Sequence, residues 1–291
     1  MSYLAVLVGL AAAFLWGTSD YLAGLASRSV GEYSTNAYVF LFGGITIFIA
    51  LMFFGSSAHP DLGALIFGAA FSVPIFFGSL FYYRAFRIGD FAINAPISSS
   101  YPVVIVLGSV FLLGQALSWT EILGLTVTIL GIVLISTKFS MLKARKRALA
   151  AGVGSSVLAM ILLGVPSIFA AVYAAVIGFL LLSLMWRTLP ALIAFVGGYA
   201  AKQDLRMPKR RTLLLIIVAG LFDGLALSVY LFGIYANALA LPIISVLSGL
   251  TGAVTVAYGL MISKERPEWN QWLGIAMAIA GAATLSYISA L

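Results

Sequence analysis

Lys138-Phe139-Ser140-Met141-Leu142-Lys143-Ala144-Arg145-Lys146-Arg147 places five cations within ten residues, near the midpoint of a chain otherwise poor in charge. Long apolar runs punctuated by Gly, Ser and Pro flank it on both sides. A basic cluster between membrane-length hydrophobic segments reads as a cytoplasmic loop, because Lys and Arg accumulate on that side of a bilayer. The stretch therefore reads as a linker. It divides the chain into residues 1–137, the basic linker 138–147, and residues 148–291.

Composition sets the solvent. The chain is 63% hydrophobic and 9% charged, against about 25% charged in soluble domains. A soluble fold of 291 residues could not cover that much apolar surface, so the expected class is an all-α integral membrane protein. The net charge of +7 could suggest nucleic acid, but the cations are confined to short loops between apolar segments, and no nucleic-acid partner is expected. There is no Cys, which excludes disulfides and thiolate metal sites. His59 sits beside Pro60 in a short loop, where a solvated ring is expected. The start, Met1-Ser2-Tyr3-Leu4, lacks the basic region of a cleavable signal, so the first apolar segment is expected to be retained.

A spanning helix needs about 20 apolar residues. Ten segments meet that need: Leu4–Ala26, Asn36–Gly55, Leu62–Tyr83, Ala92–Leu113, Glu121–Thr137, Leu149–Ala170, Gly178–Ala200, Thr212–Tyr235, Leu239–Ile262 and Trp269–Leu291. The cations test the count. Of 16 Lys and Arg, all but Arg187 fall in five clusters: Arg28; Arg84 with Arg87; the linker; Lys202 to Arg211; and Lys264 with Arg266. Roughly fifty residues separate neighbouring clusters, enough for one helical hairpin. All five can thus lie on the cytoplasmic face, which leaves both termini outside. The alternative is that some segments are re-entrant.

The halves resemble one another. Trp119, Gly124 and Gly131 match Trp269, Gly274 and Gly281 in spacing, Pro96 corresponds to Pro242, and Gly78 and Gly224 stand at one offset from those prolines. Five helices per half is an odd number, so the second half must enter the membrane in the opposite sense. The expected fold is ten transmembrane helices as two inverted five-helix repeats, with the substrate site near the midplane. The paired glycines suit close helix packing.

Trp16-Gly17 in helix one, Tyr82-Tyr83-Arg84-Ala85 ending helix three, Ala95-Pro96 with Tyr101-Pro102 in helix four, and Gly-x6-Gly in each half's last helix carry a resemblance. On these the chain resembles the drug/metabolite transporter superfamily, and within it the ten-helix EamA-type exporters, over nearly its whole length. The second half departs from the pattern: Gly233-Ile234-Tyr235-Ala236-Asn237 replaces the aromatic pair, and Leu163-Gly164 replaces Trp-Gly. The resemblance implies helices one to four and six to nine around a central cavity, helices five and ten outside, and alternating access. It also implies small-molecule substrates such as amino acids, other metabolites or drugs, moved outward without ATP. No G-x-x-x-x-G-K-[ST] loop is present, and no cofactor is expected.

Candidate site residues are the polar ones at membrane depth, where a charge costs at least about 2.5–3.5 kcal/mol and so pairs or faces water. Arg187 and Asp223 fall near the midplane, within a turn of one another in depth. They are expected either to form a plain buried pair or to meet substrate. Asp20 lies nearer the cytoplasm and could partner Arg28 or Arg84. Aromatics form a second set: Trp16, Tyr21, Tyr82, Tyr83, Tyr101, Trp186 and Tyr230. Mid-helix indole and phenol groups need hydrogen-bond partners and suit a flat or cationic solute, or else serve helix packing. Ser98, Ser245 and Ser248 occupy facing places in helices four and nine, where they bond across helices, to backbone or to substrate. Pro96 and Pro242 are the candidate hinges.

The expected activity is secondary export of a small amphipathic or zwitterionic metabolite, amino acids foremost, by a multi-pass protein of the cell membrane acting as a monomer. Arg187 would meet a carboxylate, and Asp223 or Asp20 an ammonium or a coupling proton. A cation or multidrug exporter is the alternative within the class. A channel is the alternative outside it, although no ring of like charges or carbonyl filter is present. A membrane enzyme would have no Cys, a single loop His and no metal-binding pair to work with.

Overall fold

The computed structural model describes residues 2–56, 58–89, 91–137, 139–140, 152–263 and 268–288. Most of the basic linker, with Lys264 and Arg266, lies outside the described residues. Among the described residues every regular element is helical.

The first helix, α1, runs over Ser2–Phe54. Its 53 residues would measure about 80 Å if straight, against a bilayer core of about 30 Å. Gly31, at φ 81° and ψ 166°, breaks it into limbs 2–30 and 32–54. That region of backbone space belongs to glycine. The loop expected over residues 27–35 is therefore helix on both sides of one glycine. Thr35 Oγ1 donates to the Gly31 carbonyl at 2.9 Å, and Arg87 Nη1 pairs with Glu32 Oε2 at 2.7 Å. The first holds the turn from within and the second ties it to α3, so no loop is needed.

Prolines set the next breaks. Helix α2 (Leu62–Ala70) and α3 (Ser72–Ile88) part at Phe71, because Pro74 has no N–H for the Ala70 carbonyl. Helix α4 (Phe91–Ser98) and α5 (Tyr101–Phe111) part at Ser99-Ser100, because Pro102 leaves the Ser98 carbonyl without its partner. The expected hinges were Pro96 and Pro242. Helix breaks follow Ser98 and Ser248; Pro102 accounts for the first, and Pro242 starts α11.

Helix α6 covers Trp119–Ser136 and opens on a capping box between Ser118 and Glu121. Then come α7 (Val153–Ile168), α8 (Ala170–Ile177), α9 (Phe179–Ala200) and α10 (Arg210–Ala236). Residues 171–177, expected between two spans, are helical. A single glycine, Gly178 at φ 85°, joins α8 to α9. A 3-10 turn over Ala238–Ala240 leads to α11 (Leu241–Ser248), α12 (Thr251–Ser263) and α13 (Trp269–Ile288).

Among the described residues, five helices are long and apolar enough to cross a membrane: 3–54, Leu62–Ile88, Phe179–Ala200, Arg210–Ala236 and Ala238–Gly259. The α7–α8 pair, bent by 47°, makes a sixth. Phe48, Phe53, Phe111, Leu192 and Ile279 are exposed, an outer surface that only lipid makes tolerable. This is a multi-pass membrane protein.

Small residues set the packing. A Cβ on Gly131 would lie 2.6 Å from the Ala278 nitrogen, and one on Gly281 would lie 2.8 Å from the Gly124 carbonyl. As numbers rise along α6 they fall along α13, so the two helices run antiparallel and touch backbone to backbone. Three other close pairs run parallel. Gly9 faces Leu247 and Gly17 faces Val254, while Gly164 faces Val104 and Gly108 faces Ile168. The second limb of α1 lies along α10, with Gly43 against Gly220 and Gly224.

Candidate functional site

Polar side chains from both halves converge on one cavity inside this apolar bundle. Trp16, Asp20, Tyr82, Ser98, Tyr101, Trp186, Arg187, Asp223 and Tyr230 all line it. They come from α1, α3, α4, α5, α9 and α10, so no single hairpin builds the site. About 820 Å³ of space between atoms, its open mouth included, lies within this lining.

Arg187 and Asp223 meet. The Arg187 Nη2 donates to Asp223 Oδ1 at 2.9 Å, and its Nε donates to Oδ2. The remaining fork nitrogen, Nη1, donates to the Trp186 carbonyl at 3.0 Å. Both side chains are buried. Such a two-pronged pair suits guanidinium geometry and spreads the charge over two bonds. Gly43 makes room for it, since a Cβ there would stand 3.1 Å from Asp223 Oδ2 and 3.5 Å from Arg187 Cδ. The guanidinium carbon lies 5.0 Å from the centre of the Phe40 ring, within cation–π range. Trp16 Nε1 adds a third donor to the carboxylate, at 3.2 Å from Oδ1.

Asp20 does not partner Arg28 or Arg84. Its Oδ2 accepts from the Tyr82 hydroxyl at 2.8 Å and from Thr251 Oγ1 at 3.1 Å. The chain turns that carboxylate inward, toward hydroxyls on α3 and α12, and away from the cationic loop.

The other aromatics are tied as mid-membrane donors must be. Trp186 Nε1 donates to the Gly68 carbonyl at 3.0 Å. The Tyr101 hydroxyl lies 2.8 Å from Ser248 Oγ, and the Tyr230 hydroxyl 2.8 Å from Ser245 Oγ. Ser245 and Ser248 thus stand behind the cavity wall and hold its phenols, outside the lining itself. Ser98 Oγ is buried in the wall with no hydrogen-bond partner. Tyr21 stacks on Tyr258 with ring centres 5.5 Å apart, away from the cavity.

Sequence reasoning missed Phe40, Ser79, Ser167 and Thr251, which also line the cavity, as does Ser99, the neighbour of Ser98 in the same serine run. Tyr83, singled out as an aromatic but not as a site residue, lines it too. Thr251 carried a usable signal: it is the polar residue that resumes the helix after the Gly249 break. Phe40 and Ser167 sit in runs no different from lipid-facing ones, and only the packing separates them.

Residues 3–137 match the EamA-like transporter family. An uncharacterized protein of Methanocaldococcus jannaschii is 26% identical over 132 residues, which make up 45% of this chain and 96% of that protein. A protein of known crystal structure superposes at a TM-score of 0.77 over 99% of both chains, at 20% sequence identity. That likeness extends the shared fold across the second half.

Proposed function

We propose, from the match of residues 3–137 to the EamA-like transporter family, that the chain is a transporter of this kind and exports a small amphipathic solute bearing a protonated amine, by alternating access around the central cavity. The family is one of transporters, not enzymes. The observation that carries the proposal is the cavity itself, where three ionisable side chains stand among aromatic rings inside an apolar bundle, a costly placement that supports a role in meeting a polar solute.

In this proposal the chain crosses the bilayer ten times, as two inverted five-helix units over residues 1–137 and 148–291, joined by the basic linker 138–147. The packing supports it. Limb 2–30 of α1 lies parallel to the α11–α12 pair, and α7 lies parallel to α5, which is the same relation with the halves exchanged. Helices α6 and α13, at corresponding places, pair antiparallel through corresponding glycines. A relative whose length corresponds to 45% of this chain supports units of that size. Residues from both halves around one cavity match the expectation that substrate sits at the repeat interface.

Amino acids are the first substrate class to test, with the aromatic walls receiving the apolar body. One observation favours organic cations as the second: the Arg187 fork is already engaged by Asp223, so a substrate carboxylate must displace that carboxylate to reach it. Purified protein in liposomes decides among the classes. Saturable counterflow of one solute supports transport, and a non-saturating conductance would instead make the chain a channel.

A further inference from the structure

We propose that Asp20 forms an ammonium subsite, in which its Oδ1 accepts a hydrogen bond from a primary or secondary amine on the solute. This rests on the transporter reading above and names the group that reads the amine.

Two carboxylates line the cavity, and their circumstances differ. Asp223 is saturated by three donors, two of them on Arg187. That pair is neutral as a unit. Asp20 receives only uncharged hydroxyls, and both go to the same oxygen, Oδ2. Its Oδ1 faces the cavity without a hydrogen-bond partner, and among the described residues Asp20 has no ion pair. With Arg187 and Asp223 cancelling, an ionised Asp20 is the charge the cavity leaves uncompensated. A buried charge in that state favours a cation.

The two hydroxyls on Oδ2 do more than relieve the carboxylate. Tyr82 reaches it from α3 and Thr251 from α12, so the carboxylate is held from two sides with its free oxygen turned to the cavity. Ser98 adds a second acceptor on the same wall. Its Oγ is buried without a hydrogen-bond partner, as are the hydroxyls of Ser19, Ser34 and Ser72, but among these four only Ser98 lines the cavity. A primary ammonium has three N–H groups to place. One N–H to Asp20 Oδ1 and another to Ser98 Oγ would satisfy both. The ring of Trp16, one turn before Asp20, stands on the same wall for the body of the amine.

The test uses the full chain and three probes of one shape: phenethylamine, its neutral isostere 2-phenylethanol, and the anion 3-phenylpropionate. Binding is read as melting-temperature shift and transport as counterflow in liposomes. Phenethylamine should stabilise the protein and exchange, and the other two should not. Asp20→Asn should keep its unliganded melting behaviour but weaken amine binding by about tenfold to a hundredfold. Ser98→Ala should weaken it by a smaller factor. The charge selectivity of the natural protein needs no variant, so a misfolded Asp20→Asn leaves the proposal testable. Equal response to the amine and the alcohol, preference for the anion, or unchanged amine binding in Asp20→Asn would overturn it. Counterflow of a neutral or anionic probe without amine preference would sink the subsite and leave the transporter standing. Conductance without saturation would remove the transporter reading, and the subsite with it.

Discussion

Gly31 and Gly178 stand 147 positions apart and play the same part, each joining two helices end to end at a positive φ, 81° in the first and 85° in the second. Trp16-Gly17 and Leu163-Gly164 are separated by the same distance. The likeness of the halves thus reaches the backbone geometry of the turn between the first two helices of each, even where the side chains differ.

That geometry makes the first prediction. Gly31→Ala should destabilise the protein by about 1–3 kcal/mol, because ψ 166° at positive φ is open almost only to glycine. Arg87→Ala, which removes the ion pair beside it, should cost under about 1 kcal/mol, since the Arg87 side chain is 42% exposed. Melting temperatures in detergent rank the two. A larger loss for Arg87→Ala would place the strength of the turn in the ion pair.

The seam between α6 and α13 gives the second. Gly131→Ala would push a methyl group to 2.6 Å from the Ala278 nitrogen, and both neighbours are backbone that cannot swing aside. About 1–3 kcal/mol of stability should be lost. Gly154→Ala, with open space around it, is the control and should cost almost nothing. Denaturation of both variants in mixed micelles checks the contrast.

Arg187 and Asp223 supply the third. Removing either partner strands the other charge in the bundle and should cost roughly 3–5 kcal/mol. Joint replacement by Met and Leu should recover most of that stability, because no charge is left unpaired. Whether the pair also serves substrate is read from transport by the stable double variant: normal counterflow would leave the pair a structural role only. Arg187→Lys separates the cases further, since an ammonium cannot span both carboxylate oxygens.

The fourth concerns orientation. The basic clusters at Arg84 with Arg87, at 138–147 and at Lys202 to Arg211 should face the cytoplasm, and both termini the outside. Reporter fusions after Leu291 and within 138–147 read this directly, and a cytoplasmic C-terminus would refute it.

The sequence alone determined the solvent, the helical class, the membrane-length segments and the depth at which Arg187 and Asp223 would lie. Each follows from local composition, or from counting residues at a fixed rise. It also named most of the cavity wall, because a polar or aromatic group at membrane depth is conspicuous in an apolar run. Tertiary structure decided the rest. Loops expected over 27–35 and 171–177 became helix, since one glycine turns the chain where several loop residues were expected. Helix breaks after Ser98 and Ser248 emerged from the fold. Asp20 turned to Tyr82 and Thr251, leaving Arg28 and Arg84 aside, and Phe40 and Thr251 joined the wall unannounced. Sequence position fixes a residue's depth and its place around its own helix, but which atoms meet depends on how neighbouring helices rotate and approach. Those angles are set by the summed packing of small residues such as Gly43, Gly131 and Gly224 against distant backbone, which no local stretch contains.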